Sequence, residues 1–329
     1  MPDEPTTPPT TPLIPPASQR TRPFRFTVQA SHLASPAELR PLARRCEDAG
    51  VAALTVADHL DDQLSPLVAL MAAADATTTL RVGSLVFSND YRHPALLAKE
   101  VATLDQLSGG RLEFGLGAGW KLTDYQAAGL PLDKPSVRIE RLDEALTVIR
   151  ALWSGHPVHH AGTHYTIDGL TLAPLPLQQP GPPIWVGGGG RKVLEVAARH
   201  ADVIHLNPSL PAGVIDHRAG PSATEAATHA KLAWVRDAAG DRFDELEIGV
   251  RIHLAIVSDE RDSLYDALSA GLGLSPAEGR GSPHALVGTV TQIADDLIER
   301  RERFGISNIG ISASALAEMA PVIARLASA

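Results

Sequence analysis

From Phe24 to the C-terminus, short β-branched or apolar runs alternate with longer stretches of helical periodicity, and the pattern repeats eight times. That order is the signature of βα units and a parallel sheet, because parallel neighbours need a crossover long enough to hold a helix. The expected strands are Phe24–Gln29, Ala53–Ala57, Leu80–Phe87, Arg111–Leu116, Ile184–Val186, Val203–Leu206, Ile248–Val257 and Asn308–Ile311. Helices are expected from Ser35, with Pro36 and Glu38 completing a capping-box pattern and Gly50 ending it, then over Pro66–Thr77 and Pro94–Leu107. Further helices follow: one with Ile139, Leu142, Leu146, Ile149 and Leu152 on a single stripe, one after Gly190, and others near Ala223–Ala239, Val290–Phe304 and Leu316–Leu326. Eight such units predict an α/β fold, a closed (β/α)8 TIM barrel, with an open doubly wound sheet as the alternative. The irregular stretch His156–Pro183 is too long for a bare loop, so a hairpin insertion is expected around Tyr165–Asp168, before the fifth strand.

Residues 1–23 are rich in Pro and Thr and are expected to form a disordered tail, leaving 24–329 as one domain. The formal charge of −9, with no cluster of Lys and Arg, argues against nucleic acid or an acidic membrane as partner. No apolar run reaches the roughly 18 residues of a membrane span, and the tail lacks the apolar core of a secretory signal. The single cysteine, Cys46, can form no internal disulfide; it reads as a packing residue in a reducing, cytoplasmic compartment.

In a barrel of this kind, chemistry belongs to residues just past the C-terminal ends of the strands. Asp58 and His59 follow the second strand, where a carboxylate and an imidazole can bind a ring edge or shuttle a proton; a capping Asp and a rim His are the plain alternative. Gly83-Ser84-Leu85-Val86 at the third strand suits a bulge that brings backbone close to a planar ligand. The fourth strand ends in Gly115-Leu116-Gly117-Ala118-Gly119-Trp120, and the fifth in Gly187-Gly188-Gly189-Gly190-Arg191 before a helix. Glycines at a strand-to-helix junction let amide N–H groups point at an anion, and the helix N-terminus adds partial positive charge. The four-glycine run therefore reads as a phosphate cradle, whereas the spacing in the first run does not match a dinucleotide fingerprint. His156, His159, His160 and His164 lack ligand spacing or cysteine partners, so no metal is expected, and no Gly-x-Ser-x-Gly elbow is present.

The run Asn89-Asp90-Tyr91-Arg92-His93-Pro94-Ala95-Leu96-Leu97-Ala98-Lys99-Glu100 strongly resembles the luciferase-like oxidoreductases, in particular the actinobacterial coenzyme F420-dependent subgroup. So do Ser108-Gly109-Gly110-Arg111, Arg141-Leu142-Asp143-Glu144, Leu152-Trp153-Ser154-Gly155 and Pro183-Ile184-Trp185-Val186, and the match runs from Phe24 to the C-terminus. The resemblance implies a cis peptide at Leu85-Val86 behind the cofactor ring, Gly117, Ala118 and Gly119 beside the ring and ribityl chain, and Gly187, Gly188, Gly189, Gly190 and Arg191 at the phosphate. It also implies Asp58 at the ring edge and His59 on the substrate side. Trp120 stands where sugar-phosphate dehydrogenases of the family carry a glutamate, and no lysine occupies Asn207-Pro208-Ser209-Leu210. Glucose 6-phosphate is therefore not the expected substrate; Trp120 suggests an apolar wall for a small, uncharged organic one. The resemblance thus implies a homodimeric oxidoreductase that uses coenzyme F420, with His59 and Trp120 at the reacting centre. An FMN-dependent monooxygenase and a non-catalytic flavin-binding barrel are the alternatives.

Overall fold

The computed structural model describes residues 22–210, 213–214 and 217–327. The expected tail, 1–23, lies outside the described residues except for its last two; of these Arg22 is docked, its guanidinium donating to Glu245 O at 2.7 Å.

Eight parallel strands close into a barrel: β1 Arg25–Gln29, β2 Ala53–Val56, β3 Arg81–Ser84, β4 Leu112–Gly117, β5 Ile184–Gly188, β6 Val203–Leu206, β7 Glu247–Arg251 and β8 Ile306–Ser312. Neighbours in the sheet run β3-β2-β1-β8-β7-β6-β5-β4, and pairing of β3 with β4 completes the ring. Seven crossover helices and one that follows the last strand surround it: α1 Leu39–Asp48, α2 Pro66–Asp75, α3 Pro94–Leu107, α4 Pro135–Leu152, α5 Arg191–His200, α6 Glu225–Ala239, α7 Val290–Phe304 and, last, α8 Leu316–Leu326. Strand residues Val28, Leu54, Val82, Phe114, Val186, Ile204, Val250 and Ile309 are all fully buried against these helices in one continuous core. Burying each such side chain contributes roughly 1.5–3 kcal/mol, which is what holds the helical ring to the strands. No helix among the described residues is long and apolar enough to cross a membrane.

The inward faces follow from the register. Thr27 pairs with Gly310 and Ala53, Gly83 with Thr55 and Glu113, Gly115 with Trp185, Gly187 with His205, and Gly249 with both His205 and Asn308. At the N-terminal end of the axis a charged network fills the space: Arg25 donates to Glu113 and, at 2.9 Å, to Glu247, and Arg81 Nε donates to Glu113 at 2.5 Å. Above it Trp185 and His205 stack, ring centroids 6.1 Å apart. They fit because their neighbours are glycines: a Cβ on Gly249 would stand 2.8 Å from the His205 ring, and one on Gly310 3.1 Å from it.

Three local expectations needed correction. The third strand, expected over Leu80–Phe87, is interrupted after Ser84 by a cis Leu85–Val86 peptide and resumes as Phe87–Ser88 beside β4. The seventh, expected over Ile248–Val257, leaves the barrel at Ile252–His253; Leu254–Val257 pairs instead with an unforeseen strand, Ala285–Gly288, where His253 N donates to His284 O. Ser35 does cap its helix, accepting from Ala37 N, but through a 3-10 turn with no reciprocal bond from Glu38. The hairpin insertion is Val158–Ala161 paired antiparallel with Thr166–Leu170.

Candidate active site at the barrel mouth

The expected residues converge on one rim, at the C-terminal ends of β2 to β5. Asp58, 5% exposed, accepts from Ser88 N at 3.1 Å, and Ser88 pairs with Gly117. A Cβ placed on Gly117 would come within 2.6 Å of Val86 Cγ2, and one on Gly187 would lie 3.9 Å from Val86 Cγ1. The Val86 side chain therefore occupies the gap that the glycines of β4 and β5 leave, and it marks the centre of the rim. Gly188 closes the row, its carbonyl accepting from Asn207 N at 3.0 Å.

The glycines serve different purposes. Gly189 is required by packing, since a Cβ there would meet Asn207 O at 2.4 Å and Pro208 C at 2.5 Å. Gly190 is the N-cap of α5, has open space where a Cβ would go, and provides no side-chain cap for the first helical amides. Those N–H groups, with no acidic residue in the first turn, are the part of the run suited to an anion. Arg191 points elsewhere: it is exposed and its Nε donates to Glu195 at 2.7 Å. The Ala118–Gly119 carbonyls accept from Arg138, and the left-handed Gly119 (φ +76°) has no room for a side chain beside the Tyr125 hydroxyl.

Two partners of the expected pair were not foreseen. His59 Nδ1 lies 2.8 Å from Oδ2 of Asp124, which is buried on a short helix, Leu122–Ala128. Tyr91 also donates to Asp124, at 3.4 Å, and Lys121 Nζ lies 3.5 Å from its other oxygen. Burial and the Asp124 charge push the Tyr91 hydroxyl well above its ordinary pKa, so it remains a donor. Asp58 forms a largely buried ion pair with Arg92 Nη1 at 2.5 Å. Trp120 meets the His59 ring edge-on with centroids 5.6 Å apart, and Gly213, in the segment after β6, packs against the Trp120 backbone carbonyl. With Nδ1 facing a carboxylate, the imidazole carries its proton there and keeps Nε2 as the exchangeable nitrogen, an arrangement suited to proton transfer.

The histidine-rich hairpin makes local pairs, His159 with Asp168 at 3.1 Å and His160 with Glu144 at 3.0 Å. A groove of about 360 Å3 lined by Glu140, Asp143, Glu144, Thr147, Thr163 and His164 holds none of the expected site residues.

The family model described as luciferase-like monooxygenase matches residues 21–282. An FMNH2-dependent dimethylsulfone monooxygenase of Pseudomonas putida is 31% identical over 158 residues, 48% of this chain and 42% of that enzyme. A 5,10-methylenetetrahydromethanopterin reductase of Archaeoglobus fulgidus is 32% identical over 53% of this chain and 50% of its own. The chain thus aligns with about half the length of these two. An F420-dependent glucose-6-phosphate dehydrogenase of Nakamurella multipartita is 29% identical over 288 residues, 84% of this chain and 80% of the dehydrogenase. Among solved structures, the coenzyme F420-dependent tetrahydromethanopterin reductase of Methanopyrus kandleri superposes with a TM-score of 0.75 at 18% identity, covering 93% of this chain and 100% of that one.

Proposed function

The chain belongs to the luciferase-like monooxygenase family, and on that footing we propose that it is a coenzyme F420-dependent oxidoreductase transferring a hydride between the deazaflavin and a small organic substrate. The observation that carries this reading is the single rim on which Asp58, Val86, Gly117 and Gly187 meet, with the His59–Asp124 pair at its edge. Relatives of both kinds match over most of this chain, an F420-dependent dehydrogenase over 84% and an FMNH2-dependent monooxygenase over 71%.

The residues present fit a flat heterocycle with an anionic tail. Val86, with Leu85 before it, would back the ring; Gly117, Ala118 and Gly119 would flank it, and Asp58 would meet its edge. Gly187, Gly188, Gly189 and Gly190, with the uncapped amides of α5, would hold the phosphate, and Arg191 would join them once released from Glu195. When bound, the cofactor supplies the hydride-carrying carbon. The protein's part is to orient the substrate against Trp120 and to give or take a proton at His59 Nε2 while Asp124 holds Nδ1. We read the enzyme as a homodimer, which sedimentation velocity checks.

A second reading, an FMN-dependent monooxygenase using reduced flavin and O2, is supported by the 31% identity to the dimethylsulfone enzyme. Fluorescence titration separates the two. We expect F420 to bind about tenfold tighter than FMN or better, a difference of about 1.4 kcal/mol. Tighter FMN binding with oxygen consumed during turnover would replace the first reading by the second, and failure to bind either would leave a non-redox barrel.

A further inference from the structure

The loop after β2 and the segment after β4 are tied together twice. His59 Nδ1 meets Asp124 Oδ2 at 2.8 Å, and Asp61, two residues after His59, accepts at 2.5 Å from Lys121, three residues before Asp124. Lys121 Nζ also lies 3.5 Å from Asp124 Oδ1, so Asp61, Lys121, Asp124 and His59 form one row, alternating in charge once the imidazole is protonated. The spacing has a local cause. Lys121 is the N-cap residue of the short helix Leu122–Ala128 and Asp124 lies in its first turn, where Asp124 N donates to Lys121 O at 3.0 Å. Side chains three apart on a helical turn are neighbours.

The two oxygens of Asp124 have different tasks: Oδ2 meets His59 and the Tyr91 hydroxyl, whereas Oδ1 faces the ammonium. Burial works against the charge on Lys121, yet the hydrogen bond to Asp61 and the Asp124 and Asp61 charges outweigh it and hold the ammonium above its ordinary pKa. It is therefore a cation throughout the neutral range. Asp61 is steadied in turn by Gln63 Nε2 at 3.0 Å, while its neighbour Asp62 pairs with His32 and is largely exposed. The charge next to His59 in the chain, Asp58, is already neutralised by Arg92. As a partly exposed ion pair, Lys121 and Asp61 contribute little to stability. Asp124 is only 4% exposed, however, and a charge set against a buried carboxylate is screened far less than one in water.

We propose that Lys121 is a positioning residue of the mouth: anchored by Asp61, it offsets part of the Asp124 charge and thereby sets the pH range in which His59 exchanges its proton. Asp124 by itself would hold the imidazole proton more tightly, since an opposite charge favours the protonated form; the ammonium behind it loosens that hold. This rests on the reading of His59 as the residue that gives or takes a proton. The sequence concealed the role because a lysine and an aspartate in two separate loops read as solvated charges, and only the fold brings them together.

The test follows the imidazole C–H resonances of His59, assigned with His59→Asn, through a pH titration of the full chain, a readout that needs no turnover. Lys121→Met is expected to move the midpoint of that titration up by about one pH unit and Lys121→Glu by about two, because a cation is first removed and then replaced by an anion. Lys121→Arg keeps the charge and should stay within about 0.3 unit of wild type. The pH at which kcat is half-maximal should follow the same series, with KM changed by less than about twofold. If Lys121→Glu does not fold, as judged by its thermal transition, the Met and Arg variants carry the comparison. Equal shifts in the Met and Glu variants, or a Met variant within about 0.2 unit of wild type, would overturn the proposal. So would an Arg variant that folds like wild type yet titrates like the Met variant. An imidazole titration that shifts as expected while the kcat profile stays fixed would uphold the hold of Lys121 on His59 and overturn the proton-exchange role of His59 itself, so the two failures are told apart.

Discussion

His59 and Asp124 are 65 residues apart in sequence, yet the imidazole Nδ1 and a carboxylate oxygen meet at 2.8 Å beneath the Trp120 ring. Asp124 touches no reacting atom in the proposed chemistry; it is a positioning residue that fixes the tautomer of His59. His59→Asn is expected to lower kcat about 100-fold or more, the usual scale for general acid–base catalysis. Asp124→Asn is expected to lower kcat about tenfold, leaving cofactor affinity unchanged, and the double variant should be no slower than His59→Asn alone. Steady-state kinetics on the three variants decides this, and additive losses would show that Asp124 acts independently of His59.

Two neighbouring glycines should respond differently to the same change. A Cβ on Gly115 would collide with backbone, Ser84 O at 2.0 Å, whereas one on Gly117 would press on the end of a side chain, Val86 Cγ2 at 2.6 Å. Gly115→Ala is therefore expected to destabilise the fold by about 1–3 kcal/mol or more, visible as a lower thermal midpoint. Gly117→Ala should lose less stability but weaken cofactor binding about tenfold, because Val86 is displaced from the rim. Equal effects of the two on affinity would remove Val86 from its assigned place.

Acid sensitivity should trace in part to Glu47. Its Oε1 accepts from Thr78 N at 2.9 Å, Thr79 N at 2.6 Å and Leu80 N at 2.9 Å, tying α1 to the turn that leads into β3. Those amides hold the carboxyl at about 2, below its ordinary 4.5. A depressed pKa in the folded state gives stability that is fully present above the unfolded value and is lost as pH falls toward the folded one. Wild type should therefore exceed Glu47→Gln in thermal midpoint at pH 7, and the gap should narrow between pH 4.5 and 2. A gap independent of pH would show that the charge contributes nothing.

Cys46 is fully buried on α1, and desolvation pushes its thiol up to about 12. Both effects suppress the thiolate that reacts with disulfide reagents. At pH 8 the folded protein should give no thiol signal over an hour with an aromatic disulfide, and one equivalent after unfolding in guanidinium. Rapid labelling of folded protein would point to local opening of α1.

What the sequence made legible is what depends on local pattern. Strand and helix order, the glycine ends of β4 and β5, the hairpin before β5 and the rim position of His59 all follow from periodicity and residue type within short windows. Asp124 and Arg92 were not visible as partners because their roles arise from contacts 65 and 34 residues distant, and a buried Asp on a short helix looks in sequence like a surface one. The break at Ile252–His253 was likewise hidden, since an apolar run does not reveal that its second half pairs with Ala285–Gly288.

The stacked Trp185 and His205 rings, seated among glycines at mid-axis, act as a floor shared by any chemistry conducted above them. Exchanging residues of the surrounding loops can reshape what enters from above while that floor, and the ionic plug below it, stay as they are. Diversification of substrate choice on this scaffold therefore has a built-in ceiling on depth: novelty is written around the opening, and the shaft beneath tolerates little rewriting.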